Sequence, residues 1–163
     1  MSYTLHRMTS ADAPLTIEWL VRQYGFDRHE VERWLQCYRF NWPLSVKAVA
    51  DDGDVIGLLN MSDYRIEEES GYIEAERPDL LKRLNEMRYV AVFSFIVKDA
   101  YRGTRLNYDM LMSIMPELRQ SYDFVFIPVM HCLKTHQYWQ RWGATEFYRD
   151  KDCVYYWLRL NAE

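Results

Sequence analysis

The sequence of 163 residues lacks any long apolar run. Its longest uncharged apolar stretch, Tyr89 to Val97, is too short to cross a bilayer, and the opening MSYTLHRM has no apolar segment of the signal-peptide kind. A membrane partner is therefore not expected, and the cytoplasm is the expected setting. Nor is there an excess of positive charge, with 20 Lys and Arg against 24 Asp and Glu. A net charge of −4 with a pI near 5.6 gives no long-range attraction to a phosphate backbone, so nucleic acid is not an expected partner and any anion must be caught by a local site. The three cysteines, Cys37, Cys132 and Cys153, follow no CxxC spacing, which argues against a zinc site or a redox pair and reads as reduced, buried thiols. There is no internal repeat, linker or low-complexity tract.

Apolar and aromatic material is plentiful instead. Hydrophobic residues make up 49% of the chain and aromatics 16%, with thirteen Tyr and six Trp, enough to offset the entropy of ordering one domain over 1–163. Tyr3 to Met8 alternates as a strand. Thr9, Ser10, Asp12 and Pro14 then read as a cap and first turn, and Ile17, Leu20, Val21 and Tyr24 share one face of a helix stopped by Gly25. Asp27 with Glu30 forms a capping box for a second helix whose face carries Val31, Trp34, Leu35 and Tyr38. Ser45 to Ala50 and Val55 to Met61 flank the turn Asp51-Asp52-Gly53-Asp54 as a hairpin, with a bulge expected at Gly57.

A charged insert at about 62–88 follows, rich in glutamate (Glu67, Glu68, Glu69, Glu74, Glu76) and ending in a helix with Leu80, Leu84 and Met87. These glutamates read first as a solvated face, and second as an attraction for a cationic acceptor. Tyr89 to Val97 has the pattern of a strand covered on both faces. A helix from about Leu106, a strand from Asp123 to Val129, a helix from Leu133 to Trp142 ended by Gly143, and strands Thr145 to Arg149 and Val154 to Leu160 complete the order. The expected fold is α/β, a mixed and largely antiparallel central sheet flanked by helices on both faces.

The turn from Ala100 to Asn107 lies between the most apolar strand and a helix N-terminus, where amides without helical partners and the helix dipole favour an anion. Arg102 and Arg105 add charge. Gly103 permits a tight turn, and Thr104 and Asn107 could cap the helix or donate hydrogen bonds.

The run Val97-Lys98-Asp99-Ala100-Tyr101-Arg102-Gly103-Thr104-Arg105-Leu106-Asn107-Tyr108-Asp109-Met110-Leu111 resembles the coenzyme-A loop and helix of the GNAT acyltransferases, which commonly read V-x-P-x-Y-R-G-x-G-x-G-x-x-L-L. Tyr138-Trp139-Gln140-Arg141-Trp142-Gly143-Ala144 is similar to the later F-Y-x-x-x-G-F segment of that family, and the element order from residue 3 to 160 agrees. The resemblance implies an N-acetyltransferase that uses acetyl-CoA as cosubstrate. The pyrophosphate would sit on Arg102, Gly103, Thr104, Arg105, Leu106 and Asn107, and the pantetheine would lie along Phe95, Ile96 and Val97. A small-molecule or peptide amine would attack the thioester directly. The aromatic excess would suit core packing first, then an acceptor pocket or a homodimer surface.

Two positions depart from the family pattern. Arg105 and Asn107 stand where it favours glycine, which turns phosphate capture toward side-chain charge. Trp139 stands where the family places its general-acid tyrosine, and an indole N–H does not serve as an acid. Tyr138, His136 and His131 are therefore the candidate catalytic groups, each weighed against a structural role. The five-residue spacing of the two histidines is not that of a helical metal pair, and no metal is expected. A non-catalytic GNAT-type protein that binds a CoA-like ligand or a protein partner is the alternative.

Overall fold

The computed structural model describes residues 2–37, 39–65 and 78–161. Tyr38 and the run of glutamates at 67–76 fall outside the described residues. The elements are β1 (Tyr3–Arg7), a 3-10 turn (Ser10–Asp12), α1 (Ala13–Tyr24), α2 (Arg28–Cys37), β2 (Val46–Ala50), β3 (Val55–Ser62), α3 (Pro78–Glu86), β4 (Tyr89–Val97), α4 (Leu106–Ser121), β5 (Phe124–Met130), α5 (His136–Arg141), β6 (Thr145–Arg149) and β7 (Cys153–Arg159). The strands form a mixed, mostly antiparallel seven-stranded sheet in the order β1-β2-β3-β4-β5-β7-β6, with β4 and β5 parallel. Two compact units are distinguished, Met1–Ser62 with Val92–Glu117, and Asp63–Ala91 with Leu118–Glu163.

In the first unit the backbone amide of Thr9 bonds the Asp12 carboxylate at 2.9 Å, and Pro14 lies in the first turn of α1, so the entry to that helix is fixed by local sequence. Gly25 ends α1 at φ +68°. Leu20 and Val31 pack with Ile96 of β4, and Ile17, Val21, Tyr24, Trp34 and Leu35 surround them, as the helical spacing requires. A polar chain runs through the same unit. Thr16 donates to Asn60 Oδ1 at 3.3 Å and Asn60 Nδ2 donates to Ser94 Oγ at 2.8 Å, and because all three are buried, each polar group needs that partner. The hairpin register shifts between Ala48 and Val49, with Ala48 opposite Gly57 and Val49 opposite Val55, so the bulge falls beside Gly57.

In the second unit Leu80 and Leu84 of α3 pack on Tyr89, Ala91 and Phe126, with Phe147, Tyr155 and Trp157 against them. Antiparallel pairing of β5 with β7 runs without interruption from Phe124–Arg159 to Met130–Cys153. Two expectations are corrected here. The helix anticipated over Leu133–Trp142 spans His136–Arg141, because the chain stays attached to the β6–β7 turn after β5 ends: the His131 amide donates to the Asp152 carbonyl at 3.1 Å. The thiols are free but none is fully buried, since Cys37 ends α2 exposed, Cys132 is exposed in the turn after β5, and Cys153 is half-buried.

Candidate functional site

The loop after β4 belongs to the first unit. A 3-10 turn, Asp99–Tyr101, follows Lys98, and Arg102 resumes an extended conformation at φ −66°, ψ 143°. Gly103 then turns the chain at φ +77°, a region that strains a residue with a side chain. Thr104 closes the loop from both sides. Its hydroxyl donates to the Tyr101 carbonyl at 2.7 Å and accepts the Leu106 amide at 3.3 Å, which caps α4. The neighbouring amides of Arg105 and Asn107 have no helical carbonyl behind them at this end of a 16-residue helix. Arg105 does not have positive φ, so the arginine in a position the family pattern gives to glycine carries no backbone strain.

What lies beneath holds the loop in place. Leu106 and Met110 are fully buried, each contributing roughly 1.5–3 kcal/mol by leaving water. They approach β3 at Gly57, where an added Cβ would meet Met110 Sδ at 3.0 Å, Val97 at 3.4 Å and Leu106 at 3.5 Å. Of the strand residues expected along the pantetheine, Ile96 and Val97 turn into the core, while Phe95 is half-buried. Both arginines already face carboxylates. Arg102 pairs with Asp99 at 2.9 Å, and Arg105 pairs with Asp109 at 3.3 Å while its guanidinium carbon lies 5.4 Å from the centroid of the Tyr108 ring.

The catalytic candidates belong to the second unit. His131 is exposed, and its Nε2 bonds the Asp150 carbonyl at 2.8 Å. His136 is engaged through both ring nitrogens. Nε2 lies 3.2 Å from the Met130 carbonyl, and since a carbonyl only accepts, that nitrogen carries the proton of the neutral ring and Nδ1 accepts from the Tyr156 hydroxyl at 3.1 Å. Burial, and next the Glu146 carboxylate, hold the Tyr156 phenol above its ordinary pKa despite Arg149. Tyr138 is half-buried against Trp139 and Trp142, with ring centroids 5.8 and 4.2 Å away, and its hydroxyl oxygen is screened from solvent. Trp139 is core, only 4% exposed.

Several partners escaped the sequence reading. Asp150 clamps the β6–β7 turn by accepting the amides of Asp152 and Cys153 and the Tyr155 hydroxyl. Burial alone would raise its pKa, but those three hydrogen bonds together carry it below the ordinary carboxylate value. Tyr3 donates to Asp109 at 2.6 Å, and only the β1 alternation hinted that its side chain had an address.

No family model matches the sequence, and no curated protein matches it. Solved structures do match along nearly the whole chain. An acetyltransferase of the GNAT family from Staphylococcus aureus superposes with a TM-score of 0.67 at 13% identity, over 98% of this chain and 100% of that one. A polyamine N-acetyltransferase from Drosophila melanogaster gives 0.69 at 12% identity, over 97% and 100%, and the PaiA N-acetyltransferase from Thermoplasma acidophilum, in complex with coenzyme A, gives 0.62 at 11% identity, over 98% and 99%. The fold is that of the GNAT N-acetyltransferases. Identities this low speak for the fold and leave the acceptor to be argued from this chain's own residues.

Proposed function

We propose that this protein binds acetyl-CoA at Arg102–Asn107 and transfers its acetyl group to an amine by direct attack. The observation that carries the reading is the Gly103 turn at φ +77° leading into a helix capped by Thr104, with exposed arginines on either side of that glycine. The open amides of Arg105 and Asn107 suit a pyrophosphate, and the guanidinium of Arg102 suits its charge once released from Asp99. The backbone of Phe95, Ile96 and Val97 is the proposed rail for the pantetheine. In the reaction the amine lone pair forms the new C–N bond, the thioester C–S bond breaks, the amine loses one proton and the leaving thiolate gains one.

The three proton-transfer candidates are Tyr138, His136 and His131; to act, His136 would have to release the Met130 carbonyl or the Tyr156 hydroxyl, and His131 its turn carbonyl. A small-molecule or peptide amine is the acceptor class this chemistry takes. Coenzyme A at a hundred times its dissociation constant should stabilise the fold by about 2.7 kcal/mol. Thiol release across a panel of amines then reads turnover, and Tyr138→Phe should lower kcat without weakening coenzyme binding. Absence of any thermal shift at millimolar coenzyme would remove the proposal. The second reading, a coenzyme-binding protein without turnover, is favoured by one feature, the buried Trp139 in the family's acid position. It would be upheld by binding without thiol release.

A further inference from the structure

Asp109 sits one helical turn into α4 and divides its carboxylate between two groups from different parts of the first unit. The Tyr3 hydroxyl, from β1, donates to Oδ2 at 2.6 Å, and the Arg105 guanidinium reaches Oδ1 at 3.3 Å. The two bonds are unequal. That from Tyr3 is short and part-buried, whereas the pair with Arg105 is long and its side chain is 77% exposed. Arg105 is thus held loosely beside Tyr108, which at 43% exposure is the one exposed large hydrophobic side chain among the described residues. Tyr3 keeps its proton well into the alkaline range, its pKa pushed up to about 12 by burial and by Asp109, so it remains a donor wherever the protein is folded near neutrality.

We propose that Asp109, aimed by Tyr3, is an internal counter-anion that competes with a coenzyme phosphate for Arg105, making Tyr3 and Asp109 positioning residues that set coenzyme affinity. This rests on the coenzyme reading of the loop. Arg105 exchanges one anion for another when the ligand arrives, and Asp109 is not orphaned by the exchange because the Tyr3 hydroxyl stays with it. Removing the charge of Asp109 frees Arg105 in advance. Removing the Tyr3 hydroxyl makes Asp109 more dependent on Arg105 and harder to displace. An ordinary helical i,i+4 pair predicts neither effect, since its loss would lower helix stability slightly and leave ligand binding alone.

The test is calorimetric titration of coenzyme A, with pantetheine as the phosphate-free control, onto the wild type, Asp109→Asn, Tyr3→Phe, Arg105→Ala and the Arg105→Ala/Asp109→Asn double variant. Asparagine still accepts from Tyr3, and a thermal melt of each variant verifies folding. Asp109→Asn should tighten coenzyme A by roughly two- to fivefold, the size of an exposed ion pair, and leave pantetheine unchanged. Tyr3→Phe should weaken coenzyme A about twofold, and the Asp109→Asn gain should fall below about 1.5-fold without Arg105. Unchanged or weaker binding by Asp109→Asn, or a gain that persists in full without Arg105, overturns the inference while leaving the coenzyme reading intact. A wild type that binds no coenzyme A overturns both.

Discussion

The loop from Arg102 to Asn107 and the segment from His131 to Trp142 were both singled out by sequence, yet the structure treats them differently. In the loop, the proposed coenzyme role rests first on backbone conformation. A glycine turn, a threonine cap and two buried anchors, Leu106 and Met110, leave amides and arginine side chains facing outward. In the second segment the side chains of interest are already engaged, His131 on the Asp150 carbonyl and His136 on Met130 and Tyr156. Backbone devices are written locally and can be read from a few neighbouring letters. Side-chain roles depend on partners that only strand pairing brings near.

The comparison can be broken most forcefully at Gly103. Gly103→Val should cost roughly 1–2 kcal/mol through its positive φ and lower coenzyme affinity more than tenfold. Gly143→Val, also at positive φ (+86°), should cost similar stability with coenzyme affinity unchanged, so equal losses of affinity in the two would show that strain alone is being measured. Next in size is Gly57→Val, expected to destabilise by about 1–3 kcal/mol as it drives Met110 and Leu106 from beneath the loop. A stability curve within about 0.5 kcal/mol of wild type would mean that this close approach does not hold the loop.

In the other segment His136→Ala should cost about 1–3 kcal/mol by leaving the buried Tyr156 hydroxyl without its His136 partner, while the Met130 carbonyl keeps the Leu133 amide at 3.0 Å. His131→Ala, exposed, should stay within about 0.5 kcal/mol in the same denaturant titration. Reversal of that order would contradict a structural role for His136.

Alkaline pH gives the smallest and most distributed effect. Tyr3 (about 12) and Cys153 (about 11) hold their protons more tightly folded than unfolded, chiefly through burial, and Tyr155 is raised in the same sense by burial and Asp150. Groups raised in this way contribute stability that is intact below their unfolded values and declines as pH climbs through the folded ones. Melting temperature should therefore fall between about pH 9 and 12, and Tyr155→Phe should make that fall shallower. A wild-type profile flat over this range would refute the shifts.

Legibility in the sequence followed the same division. β4 lies where the apolar run put it, β6 spans the Thr145 to Arg149 expected of it, and α4 begins at Leu106 as the sequence implied. The shortened α5 was not legible, because nothing local to Leu133, Lys134 and Thr135 records that the chain just before them bonds to the β6–β7 turn. Nor was the carboxylate shared by Tyr3 and Arg105, since its two partners lie 106 and four positions away and no local pattern joins them. The cysteines misled for a related reason: composition favours buried thiols, whereas Cys37 and Cys132 fall at element ends.

The central claim is that the Gly103 turn and the start of α4 form a coenzyme site, and its most direct test is calorimetric titration of coenzyme A onto the wild type and Gly103→Val, each first shown to be folded. Saturable binding to one site on the wild type, at least tenfold weaker in the variant, is the expected result. Equal affinity in the two proteins, or no binding by the wild type at millimolar coenzyme, would contradict it.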